Sequence, residues 1–166
     1  VLLVDVVLLL TLPDVGKQVV RFTSANFKEM LLIIPPVFIL LGLMDVWVPR
    51  ELMVKLMGKG SGVRGTALAI FLGAASAGPL YGAFPVAVVL TKKGASLKNV
   101  FLFVGAWATL KIPMFLFETA ALGLAWSITR WLASFVGIFT IATVMERFLN
   151  EDDKAEIVSR ANDIDV

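Results

Sequence analysis

Four apolar runs, at residues 30–48, 63–91, 99–123 and 124–149, leave almost no chain between them from which to build a water-soluble surface. Crossing a hydrocarbon core of roughly 30 Å takes about 20 predominantly apolar residues, and each run reaches or approaches that length. A soluble domain with this pattern would have to bury nearly everything it owns. Hydrophobic residues make up 58% of the chain and charged ones 17%, against roughly 45–50% and about 25% in soluble domains. The pattern predicts an all-α integral membrane protein with about 4–5 transmembrane helices, multi-pass in the cell (inner or plasma) membrane, with the lipid bilayer as its first partner.

The same residues exclude several functions. The net charge is only +2, and the basic residues lie between apolar runs, where Lys and Arg flank membrane spans, so no nucleic acid partner is expected. With no cysteine and no histidine, thiolate and imidazole metal sites, disulfides and histidine acid–base chemistry are absent. There is no Ser/Lys or paired-Asp motif at helical spacing, so no nucleophile with its base can be named. Neither an enzyme, nor a metal, nor a cofactor is expected.

The opening "VLLVDVVLLLTL" is short for a span unless its helix continues past Pro13, and it lacks the basic segment and cleavage pattern of a cleaved signal peptide. Residues 14–29 read as an amphipathic connector, with Ser24 or Asn26 available to cap the span at 30–48, which Pro35-Pro36 should kink. Residues 49–62, opening on Pro49 and ending their helix at Gly58, read as a short interfacial helix. Residues 1–149 form one membrane domain, and 150–166 a solvated acidic tail. Trp47, Trp126 and Trp131 lie towards span ends, as in an aromatic belt.

The run at 63–91 is longer than one crossing needs, and "GAASAGPLYGAFP" puts helix breakers near its middle. Either one long helix breaks and restarts around Gly78-Pro79, or two half-helices enter and leave on the same side. Counting basic residues in the loops does not separate the two. Irregular backbone at membrane depth survives only inside protein or beside a water-filled cavity, and interrupted helices are how many transporters build their sites. The small residues from Gly73 to Gly78 would equally suit a helix-packing seam.

The stretch "GAASAGPLYGAFPVAVVLTKKGAS" resembles the signature of the predicted permeases related to ArsP and YraQ, matching at Gly73-Ala74, Pro85, Lys92-Lys93 and Gly94-Ala95-Ser96. The following "FVGAWAT" is similar to the next conserved segment, with Ala108 and Thr109 matching and Trp107 in the proline position. Where the family carries two cysteines, this chain has Pro79 and Tyr81, so soft-metal ligation through thiolates cannot operate. Family members commonly run to about twice this length with a motif in each half. The resemblance therefore implies a half-unit that completes its site as a homodimer or higher homo-oligomer.

Lys111 lies mid-span, where an ionised side chain costs roughly 2.5–3.5 kcal/mol and must face a partner or water. Asp45, a neighbouring subunit and a solute are its candidate partners, and snorkelling of its stem towards the interface is the remaining alternative. Glu118 lies about 10.5 Å further along nearly the same face, and Arg130 and Asp45 read as interface residues or a structural pair. Tyr81, the single tyrosine, serves either a solute or freed backbone at the break. The reading is a permease for a small solute, its pathway lined by Ser76, Gly78, Pro79, Tyr81, Pro85, Thr109, Lys111 and Glu118. The rival is a membrane scaffold or accessory subunit that binds another membrane protein through the small-residue seam.

Overall fold

Small residues decide how the central helices meet. In the computed structural model, which describes residues 13–47, 49–76 and 78–164, helix α3 (Gly62–Ala75) buries Gly65, Ala69 and Gly73, spaced four apart on one face. That face lies against α5 (Leu97–Thr109), the closest helix pairing in the fold. A Cβ at Gly73 would overlap the Phe103 carbonyl oxygen and the Trp107 backbone nitrogen, and one at Gly65 would overlap Asn99. The backbones touch because nothing stands between them. Since Gly65 is level with Asn99 and Gly73 with Phe103–Trp107, the two helices run parallel.

Before α3, a helix α1 spans Pro13–Trp47 and a short α2 spans Arg50–Met57. The stretch of α1 up to Leu40 belongs to a first unit, and its end, from Leu41, to a second that holds every other element. The connector and second span expected at 14–29 and 30–48 are thus one helix, running through Pro35 and Pro36. Ser24 and Asn26 do not cap it; they sit inside it, Ser24 Oγ donating to the Arg21 carbonyl and Asn26 Nδ2 to the Phe22 carbonyl. Such back-bonding lets these side chains remain in a helix interior. The expected first span at 1–12, Val48 and the Asp45 and Trp47 side chains lie outside the described residues. Helix α2 begins after Pro49 and ends at Gly58, as the sequence predicts.

Helix α3 ends before Ser76, and beyond Gly78-Pro79 the chain makes a 3-10 turn (Leu80–Gly82) and returns as α4 (Ala83–Lys92). It returns to where α3 began. The Ser96 amide, just past α4, donates to the Met57 carbonyl at 2.8 Å, and the Asn99 amide donates to the Met57 carbonyl at 2.9 Å and to Ser61 Oγ at 3.2 Å. The run at 63–91 is therefore a helical hairpin with both ends at one end of α5, and the straight crossing is discarded.

The run at 99–123 is also interrupted. Helix α5 stops at Thr109 and α6 (Ile112–Leu122) restarts after Lys111. Helix α7 (Leu124–Phe148) then returns antiparallel after Gly123 (φ 89°). The return is recorded by Arg130 beside Thr109, Ile138 against Gly105 and the Lys98–Glu146 ion pair at 3.4 Å. Among the described residues two stretches are long and apolar enough to cross a membrane, Leu97–Leu122 and Leu124–Phe148, and Gly62–Ala75 and Leu80–Lys92 are shorter apolar helices. Only 33% and 11% of the most apolar windows of the two long stretches are buried, the reverse of what a soluble core helix shows.

The acidic C-terminal stretch is exposed over most of its length, as a solvated segment is. It is a helix, α8 (Glu151–Asp163), started by a reciprocal cap in which Asn150 and Asp153 exchange side-chain and backbone bonds at 2.8 and 3.0 Å. It packs on α4, with the Lys92 ammonium donating to the Ile164 carbonyl at 2.5 Å and Lys59 pairing with Glu151 at 3.3 Å.

Candidate functional site at two helix breaks

The hairpin tip is shaped by residue types that cannot continue a helix. Ser76 closes α3 with extended backbone (ψ 140°), its hydroxyl donating back to the Leu72 carbonyl at 2.5 Å. Gly78 takes φ 100°, a conformation that glycine alone adopts without cost. Pro79 leads into the 3-10 turn with Tyr81 exposed, and Pro85 falls in the first turn of α4, where its missing N–H costs no helical bond.

The second break arises from Pro113. Without an N–H it leaves the Thr109 carbonyl, its i−4 partner, without a helical donor. Arg130 Nη1 donates to that carbonyl at 2.8 Å, and Trp131 Nε1 to the Leu110 carbonyl at 3.2 Å. Both freed carbonyls are thus satisfied from α7. Lys111, at the start of α6, directs its ammonium to the Gly78 carbonyl. One side chain therefore ties the break in α5–α6 to the tip of the hairpin.

The polar residues sort themselves differently from the sequence expectation. Glu118 is 5% exposed and pairs with Arg130, whose Nε donates to its carboxylate at 2.6 Å. It makes a polar face with Arg130 and not with Lys111, because α7 returns at its level and an arginine twelve residues away in sequence reaches it first. Thr109 Oγ1 donates to the Gly105 carbonyl at 2.9 Å, so this residue contributes its backbone carbonyl to the break. Trp131 has partners inside the fold. It sits at the level of the break between Phe115 and Phe135, with ring centroids 6.3 and 6.4 Å away.

Two buried donors near the breaks, Trp107 Nε1 and Arg130 Nη2, meet no acceptor among the described residues. Leaving such a group without a partner costs on the order of 1–3 kcal/mol, so each marks a place where water or a solute would be stabilised. Among the described residues no cluster of carboxylates has the makings of a metal site.

A second feature escaped the sequence. A furrow of about 1100 Å³ runs between α3 and α7 with the start of α5 at one end. None of the eight predicted pathway residues lines it. Its α3 wall is the stripe Val63, Thr66, Ile70, Phe71 and Ala74, and its α7 wall is Trp131, Phe135 and Phe139. Both follow the three-and-four spacing of a helix face, a signal visible in the sequence but indistinguishable there from a lipid-facing stripe.

A family model described as a predicted permease, of the ArsP type, matches residues 16–165, far beyond the 73–109 region that carries the motif. No curated protein and no solved structure matches the chain.

Proposed function

The chain belongs to the ArsP-type predicted permease family, and on that premise we propose that it is a multi-pass permease of the cell membrane that moves a small solute as a homo-oligomer. The observation that carries the reading is the meeting of two interrupted helices through Lys111 and Gly78, beside buried donors that meet no acceptor among the described residues. Broken helices place backbone groups and half-helix ends where a solute can use them. In this reading Ser76, Gly78, Pro79, Tyr81, Pro85 and Thr109 form the wall of the pathway and Lys111 its charged member. Glu118 acts through Arg130, holding the guanidinium against the break. A lysine and half-helix N-termini favour an anionic or electron-rich solute. The exposed apolar faces of α3 and α7 are available to lipid or to a second copy.

Single cysteines at Ser76, Gly78 and Tyr81, introduced into a chain that has none, test the pathway. Membrane-impermeant thiol reagents should label them from one face of reconstituted vesicles, and a solute that is transported should slow the labelling. Complete protection of all three, with a control cysteine at Gly60 labelled, would remove the pathway.

A further inference from the structure

The second unit carries its basic residues at one end. Bonds from Ser96 and Asn99 to the Met57 carbonyl gather α2, the start of α3, the end of α4 and the start of α5 there. The Lys98–Glu146 pair adds the end of α7. Helix α8 lies across the same end, tied at its first turn to Lys59 and at its close to Lys92. Ten of the chain's 15 basic residues belong to these segments: four from Arg50 to Arg64, three from Lys92 to Lys98 and three from Arg147 onward. The opposite end, where α6 turns into α7, has none, since no Lys or Arg occurs between Ile112 and Thr129. Packing follows the same asymmetry. Ala69, Leu90, Leu102 and Ala106, between the charged end and the breaks, are sealed from solvent; from Ile112 to Thr129 only Glu118 and Ser127 are buried. Thr109 lies twelve residues into α5, about 18 Å from the charged end, and Arg130, level with it, lies six residues into α7, about 9 Å from the turn. The breaks are thus about two thirds of the way across a layer close to the roughly 30 Å of a hydrocarbon core.

We infer that the hairpin enters the membrane from the cytoplasmic face, with α8 on that side, and that the two breaks open towards the opposite face. Orientation follows the number of Lys and Arg in short flanking loops, to which Asp and Glu contribute little. Pairing of Lys59 and Lys98 with carboxylates in the finished fold therefore leaves the bias intact. Lys17, Arg21 and Lys28 lie in the first unit; with all three on the far side the count would still be ten to three. The side of access follows from the packing. The glycine seam and the sealed apolar residues stand between the charged end and the breaks, whereas among the described residues no buried apolar side chain stands between the breaks and the other end. The orientation rests on membrane embedding, and the side of access on the pathway reading.

The test is labelling of single-cysteine variants of the full chain by a membrane-impermeant maleimide, in right-side-out and in inverted vesicles from expressing bacterial cells. Asp152→Cys, exposed on α8, should react at least tenfold faster in inverted vesicles. Leu124→Cys or Gly123→Cys at the exposed turn, whichever keeps its helical circular dichroism, should react at least tenfold faster in right-side-out ones. Tyr81→Cys and Ser76→Cys at the hairpin tip should follow the turn and not α8. The reverse preference at Asp152→Cys, or equal rates in both preparations, overturns the orientation. Tip cysteines that react only from the α8 side overturn the side of access while the end cysteines still fix the orientation. Tip cysteines protected from both faces remove the pathway, and the side of access with it. Resistance of the chain to alkaline extraction reports membrane embedding separately, and a chain that is stripped from the vesicles loses the orientation at its root.

Discussion

Arg130 reaches back from α7 to bind two groups on the helix pair before it, the Glu118 carboxylate at 2.6 Å and the Thr109 carbonyl at 2.8 Å. The first neutralises a buried acid and the second replaces the bond that Pro113 cannot make. Glu118 being so occupied, Lys111 is left to hold Gly78 on the hairpin.

Arg130→Met should therefore destabilise more than Glu118→Gln. Removing the arginine leaves a buried carboxylate uncompensated, a loss of about 3–5 kcal/mol, and also strips the Thr109 carbonyl. Glu118→Gln keeps an acceptor for Nε. Thermal unfolding in mild detergent ranks the two, and the reverse order would show that the pair is not what holds the break.

Pro113→Ala restores an N–H opposite Thr109 and should relieve part of the Arg130→Met penalty. A double-mutant cycle on these two positions should give a coupling of roughly 0.5–3 kcal/mol. Simple additivity would mean that Arg130 acts through Glu118 alone.

Lys111→Met keeps the stem and deletes the donor to Gly78. Charge-assisted hydrogen bonds contribute roughly 1.5–3 kcal/mol, so the variant should still insert and assemble while transport falls strongly. Full transport activity would leave Lys111 as a tether without a role in the pathway, and failure to assemble would make it structural.

Two glycines make a matched pair. Gly73→Leu drives a side chain into the backbone of α5, whereas a Cβ at Gly137 meets nothing within 4 Å. The first should cost at least the 1–3 kcal/mol typical of overpacking and disturb the α3–α5 seam; Gly137→Leu should be close to neutral. Detergent stability and the size-exclusion profile of the two variants decide it.

Hydrogen bonds from Lys154 and then Lys59 hold the Glu151 carboxyl below the ordinary glutamate range. A depressed folded value means that its contribution is complete above the ordinary range and is lost as pH falls through the folded value. Docking of α8 should loosen in that acid window, read as faster hydrogen exchange of the α8 amides. Because the pair is exposed, the effect should be small and weakened by salt.

The apolar runs, the breakers at Gly78-Pro79 and the helix limits at Pro49 and Gly58 were legible in the amino-acid order, because each follows from hydropathy or from the backbone of the residue itself. Pro113 was equally visible and went unread: a lone proline after a lysine in an apolar run looks like a tolerated kink until the carbonyl it frees is followed to its new donor. The C-terminal segment has the composition of a solvated stretch and is exposed over most of its length; its helix and its contact with α4 and Lys59 depend on the tertiary structure. The hairpin geometry, the partnership of Glu118 with Arg130 and the furrow between α3 and α7 depend on which helix lies beside which. Those choices are made by glycine faces and aromatic walls meeting across tens of residues, a complementarity of shape that no local stretch of the sequence carries.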